Sequence, residues 1–215
     1  MHGWMELFEK TVMKNKRKEN SVRSLVSLYT VVIGVALSLA VVSLVDPSSG
    51  LASVTMPAVL LFVAFIATLF PFYHGALRHL DDAYIENEND HIKDGALVLD
   101  FVLLFLHALA FVVLSLLLKR PGHFAWVLTV VLAIDIVWGI FVHFASSSKG
   151  DITPESKWAI INFVFVGCVL WYLVAHDIYL QDAPGDLSLA LAIAFACTVR
   201  SMADYGWCRS FYFPK

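Results

Sequence analysis

Charge is what this sequence has least of. Only 15% of its 215 residues are Asp, Glu, Lys or Arg, and 59% are hydrophobic. Soluble domains carry about 25% charged and about 45–50% apolar residues. The balance excludes an ordinary water-soluble domain and places the chain in a bilayer. Cysteine is nearly as scarce. Cys168, Cys197 and Cys208 are odd in number and form no CxxC pair, which excludes a disulfide framework and a zinc-finger site. Cysteines in apolar helices pack as small hydrophobes. There is no HExxH and no GxSxG, so neither a zincin nor a nucleophile elbow is encoded. The acidic stretch "ENENDH", Glu86 to His91, lacks the glycine and terminal glutamate of an EF-hand loop. It reads as a solvated loop or a contact for a basic partner. The only basic run, "KNKRK" from Lys14 to Lys18, immediately precedes an apolar segment. It is a topology signal, and no nucleic-acid partner is expected.

What is present is long apolar runs. A membrane helix needs about 20 such residues, and six segments qualify: Val22–Val45, Met56–His79, Gly95–Leu118, His123–Ser146, Lys157–Leu180 and Leu187–Cys208. Turn and breaker compositions such as "DPSSG", "KRPGH" and "QDAPGD" separate them. The expected fold is all-α, a polytopic six-helix transmembrane bundle. Residues 1–21 form a cytoplasmic amphipathic segment, 22–208 the membrane domain and 209–215 a cytoplasmic tail. Trp4, Phe8 and Val12 recur every four residues among charges, the spacing of a short interfacial helix. Short links favour antiparallel packing of consecutive spans. Lys10, Lys14, Lys16, Arg17, Lys18 and Arg23 precede the first span, so the positive-inside rule sets both termini in the cytoplasm. Lys119 and Arg120 fall on the other side and weigh against that orientation without reversing it. A bacterial inner membrane is the expected location.

The polar residues inside the spans are few and uneven. Span one has no ionisable residue after Arg23 and reads as an outer anchor, with Gly34 and Ser38 offering a small-xxx-small contact. Span two ends in "PFYHGALRHLDDAY". Pro71 is expected to kink it, and His74, Arg78 and Asp81 to share one face at its cytoplasmic end. Gly75 and Ala76 leave room there for a close neighbour. Asp100 and His107 lie two turns apart in span three, about 10 Å along the axis. Asp135 sits near the middle of span four, with His143 beyond it. Asn162 is in span five, and Cys197, Arg200, Asp204 and Cys208 form one stripe on span six. A charge at the bilayer centre costs about 2.5–3.5 kcal/mol on insertion scales. These groups should therefore face one another, as a polar funnel opening to the cytoplasm. The bland reading stands beside this one. The charges after His74 mark a helix end, Arg200 and Asp204 form an i,i+4 ion pair, and Asp135 is hydrogen-bonded glue.

Three functions fit such a funnel. The first is a channel-like or membrane-sensing subunit, in which acids and imidazoles carry or register protons or ions. It is non-catalytic and oligomeric. The second is a membrane component that docks and regulates a soluble cytoplasmic partner through its basic tail and acidic loop, as in a bacterial defence system. The third is a metal-dependent intramembrane enzyme, with His74, Asp100 and His143 as the zinc trio nearest in depth. Haem between His74 and His143 is a further cofactor option. The sequence alone fixes no cofactor and no catalytic residue.

Overall fold

The structure, a computed structural model, describes residues 2–45, 54–86, 94–146, 153–176 and 186–214. Among these there is no strand. The helices are α1 (His2–Leu44), α2 (Met56–Asp81), α3 (Asp94–Leu116), α4 (Pro121–Ser146), α5 (Pro154–Ala175), α6 (Leu187–Trp207) and the short α7 (Arg209–Tyr212). A π-helical turn, Asp82–Glu86, follows α2. Six of the helices are long and apolar enough to cross a membrane. The interior is built from their apolar sides, with Phe65, Phe111, Phe124, Leu61, Leu128 and Leu132 fully buried. Outward-facing residues are equally apolar: Trp171 is 78% exposed, Phe144 76% and Phe195 71%. Water would not tolerate so broad an apolar surface.

Local chemistry sets the helix ends. α2, α4 and α5 each open on a proline in the first turn, where a missing N–H costs nothing. The predicted start of span five at Lys157 is three residues late. Thr153 caps α5, accepting from the Ser156 N–H at 3.3 Å, and this brings Glu155 into the helix. The predicted kink site Pro71 lies inside α2 without ending it. The separate N-terminal interfacial helix is not formed. α1 runs unbroken through residues 2–44, because nothing between Gly3 and Gly34 interrupts a helix. Ser21 bonds the Arg17 carbonyl and Arg23 pairs with Glu19 across one turn.

Short links led us to expect consecutive neighbours; α4 with α5 meets that expectation, but the next two pairs join helices that are not consecutive in sequence. The closest pairs are α4 with α5, α2 with α6 and α1 with α3. Small residues allow these approaches. Ala190, Ala194 and Cys197 of α6 are buried, and the Ser201 hydroxyl donates to the Ala67 carbonyl of α2. A Cβ on Gly139 would lie 2.7 Å from the Glu155 carbonyl oxygen, so α4 and α5 touch through backbone. Gly34 has nothing within 4 Å of its Cβ position, so among the described residues the expected Gly34–Ser38 packing contact is not made.

α6 begins at Asp186, whose carboxylate accepts from the Ser188 hydroxyl at 2.7 Å and the Leu189 N–H at 3.0 Å. These bonds hold its pKa below the usual carboxylate range. Asp186→Ala is expected to cost about 1 kcal/mol and to speed amide exchange in the first turn of α6 about fivefold. A lowered folded pKa means the cap acts above the unfolded value and is lost as pH falls through the folded one. The difference between variant and parent should therefore vanish in strongly acidic buffer.

Candidate functional site

The polar side chains gather at one end of the bundle. They come from the C-terminal parts of α2, α4 and α6 and the N-terminal parts of α3 and α5. Two hydrogen-bonded groups can be separated.

The first centres on His79. Its Nδ1 lies 3.1 Å from Glu155 Oε1 and its Nε2 lies 3.2 Å from Asp100 Oδ2. An ionised carboxylate only accepts, so a ring protonated at both nitrogens satisfies both acids. Asp100 also accepts from Tyr84 Oη at 2.6 Å and from Trp138 Nε1 at 3.1 Å. The Trp138 ring meets His79 edge-on and stacks over Trp158. All three members of the acid–imidazole–acid row are less than 9% exposed.

The second group joins Asp135 to Arg200 through an amide. Asn162 Nδ2 donates to Asp135 Oδ2 at 2.5 Å, and Asn162 Oδ1 accepts from Arg200 Nε at 2.6 Å. The Arg200 guanidinium also lies 5.0 Å over the Phe72 ring, a cation–π contact. Asp204 does not pair with Arg200 as the i,i+4 reading supposed. Its two oxygens accept from Tyr212 Oη, each at 3.1 Å.

Members of both groups, His79, Asp100, Asp135, Arg200 and Asp204, line one cavity of about 40 Å³, together with His107, Tyr29, Trp138, Trp158 and Tyr212. At about 10–15 Å³ per water, it holds about three water molecules. Four buried side chains on its wall have polar atoms without a hydrogen-bond partner: Tyr29 Oη, His107 Nε2, Trp158 Nε1 and Arg200 Nη1. His107 Nδ1 is 2.9 Å from the Leu103 carbonyl, which can only accept. Nδ1 therefore carries a proton, and Nε2 is the atom left to meet the cavity. Native structures rarely leave such groups unmatched. Were all four acids ionised, Asp100, Asp135, Glu155 and Asp204 would outnumber Arg200 and two protonated imidazoles by one charge, so the cluster has room for at least one proton on a carboxylate.

Phe72 on the cavity wall packs edge-on against Phe111, which belongs to an apolar cluster with Phe65, Leu69, Leu128 and Leu132. The hydroxyls of Thr68, Ser115 and Thr129 there bond their own helix carbonyls.

Of the sequence candidates, Asp100, His107, Asp135, Arg200 and Asp204 line the cavity. The others do not. His74 sits among the rings of Tyr205, Tyr212 and Phe213. Arg78 Nε donates to the Phe211 carbonyl at 3.2 Å. Asp81 is half-buried at the end of α2. His143 Nδ1 contacts Ser156 Oγ at 2.8 Å. The zinc trio His74, Asp100 and His143 is therefore dispersed, as is the His74–His143 haem pair. Among the described residues no group of His, Cys, Asp and Glu is spaced to hold a metal. Sequence reasoning missed Glu155, Tyr29, Trp138 and Tyr84. It also took span one for a mere anchor, although Tyr29 reaches the cavity and Thr30 Oγ1 lies 3.0 Å from Tyr73 Oη. Most of the acidic second loop lies outside the described residues. At its start, Lys18 of the basic stretch sits 5.5 Å over the Tyr84 ring, so the two segments share one end of the bundle.

In comparisons with known proteins, no family model, no curated protein and no solved structure matches the chain.

Proposed function

We propose that the chain is a non-catalytic integral membrane protein, N-in and C-in, whose one-ended polar cavity takes up protons from the cytoplasmic side. It acts in membrane sensing rather than as a pore through the protomer. The observation that carries this reading is the dead-end cavity, acid-rich at its wall and sealed by apolar side chains beyond Phe72. A volume of about 40 Å³ admits water and protons but no organic substrate, since ligand pockets are typically about 300–1,000 Å³. That argues against an intramembrane enzyme. Asp135 is the exchanging group. It lines the cavity and is tied to its cation only through Asn162. A homo-oligomer in a bacterial inner membrane, reporting to a soluble cytoplasmic partner, is the setting in which this role fits.

Infrared difference spectra of protein in bilayers, between acidic and alkaline buffer, test it. A protonated-carboxyl band is expected in the parent and not in Asp135→Asn, which keeps the bond to Asn162. Vesicles carrying the parent should show no steady proton leak above empty vesicles. A carboxyl signal that survives in Asp135→Asn would reject Asp135 as the site. A steady leak abolished by that substitution would make the chain a conductor instead.

A further inference from the structure

A second feature lies on the outside of the bundle, between α1 and α3. A groove of about 460 Å³ is lined by Asn20, Ser21, Ser24 and Leu25 of α1 and by Val98 and Phe101 of α3. It continues past Leu25 and Phe101 to Leu28, Tyr29 and Phe105. Its chemistry changes in order along α1. At i,i+4 spacing one face of the helix reads Lys16 and Arg17, then Asn20 and Ser21, then Ser24 and Leu25, then Leu28 and Tyr29. Lys16 and Arg17 are exposed, whereas Arg23 is occupied by Glu19. Cations give way to amide and hydroxyl groups, and these to hydrocarbon. From Arg17 to Leu28 the helix rises about 16 Å.

A phospholipid has the same order: phosphate, glycerol esters, acyl chain. We infer that the α1–α3 groove is a binding site for one anionic phospholipid of the leaflet facing the basic stretch. The phosphate is held by Lys16, Arg17 and the Asn20 amide, and one acyl chain lies on Leu25 and Phe101. Charge complementarity favours an anionic headgroup over a zwitterionic one. The inference needs only that α1 and α3 face lipid. It does not depend on proton uptake in the cavity. Tyr29 lines both the end of the groove and the polar cavity, so the bound chain would touch the cavity wall.

Native mass spectrometry of the full chain with added phosphatidylglycerol or phosphatidylcholine tests the site. One retained phosphatidylglycerol per protomer is expected. Val98 is 62% exposed, so Val98→Trp should fold while filling the groove, and it should weaken that retention about tenfold or more. Lys16→Gln with Arg17→Gln should remove the preference for phosphatidylglycerol over phosphatidylcholine. Val102→Trp, on the exposed side of α3 outside the groove lining, should bind as the parent does. Unchanged retention in Val98→Trp would reduce the effect to diffuse attraction of the basic stretch and overturn the site. A change of oligomeric state in Val98→Trp with lipid retention intact would assign the groove to a second copy instead.

Discussion

His79→Leu is expected to destabilise the fold more than any other single substitution at the polar end, by about 3–5 kcal/mol. The reason is the arrangement of charge. Each nitrogen of His79 is held by a different carboxylate, and both carboxylates are buried. Leucine would fill much of the same space but leave Asp100 and Glu155 without their shared donor. Trp138 and Tyr84 would still serve Asp100, so Glu155 would be the more exposed to loss. Replacing all three groups by neutral ones, His79→Leu with Asp100→Asn and Glu155→Gln, should recover part of the deficit, because it removes the two uncompensated buried charges. Unfolding in mixed micelles on the single and triple variants measures both. A His79→Leu cost below about 1 kcal/mol, the scale of an exposed pair, would mean that the row is hydrated and not held by charge.

The second large effect is at Arg200. Arg200→Met removes the guanidinium that Asn162 links to Asp135, and leaves the carboxylates of this group with no fixed cation. It should cost about 3 kcal/mol or more. Asp135→Leu alone removes a partly buried acid and should be far milder. The double variant, Asp135→Leu with Arg200→Met, should be more stable than Arg200→Met alone. A double-mutant cycle reads this coupling directly. Additive costs in the cycle would show that the amide bridge transmits nothing between the two charges.

The six long apolar helices were readable because long apolar runs have few alternatives, and the five of nine polar candidates that meet at one cavity stood out because charge is rare in such runs. What escaped did so for specific reasons. Glu155 was placed in a loop because the span was begun at Lys157. The signal was there in "TPES": a capping threonine, a proline suited to the first turn and an acid behind it. Tyr29 and Trp138 look like ordinary membrane aromatics, and only the packing of α1 on α3 and of α4 on α5 turns them inward. His74 and His143 were matched by depth along their helices. Depth says nothing of rotation about the helix axis, and rotation is what sends His74 to the C-terminal aromatic segment and His143 to Ser156. The pairing of α4 with α5 follows its link, but α2 with α6 and α1 with α3 were not foreseen, because links constrain distance between ends, whereas small residues decide which faces come together.

The apolar seal beyond Phe72 has an electrical consequence. A wet, polar cavity that stops inside a bilayer carries the potential of one side partway across it, so the membrane voltage drops mainly over the sealed half. A charge that crosses the whole membrane changes energy by about 2.3 kcal/mol per 100 mV. A proton that travels only to Asp135 takes a fraction of that, without any current flowing. On the proton-uptake reading proposed above, occupancy of Asp135 would then follow voltage as well as pH, and the three carboxylates lining the cavity would store charge like the plate of a capacitor.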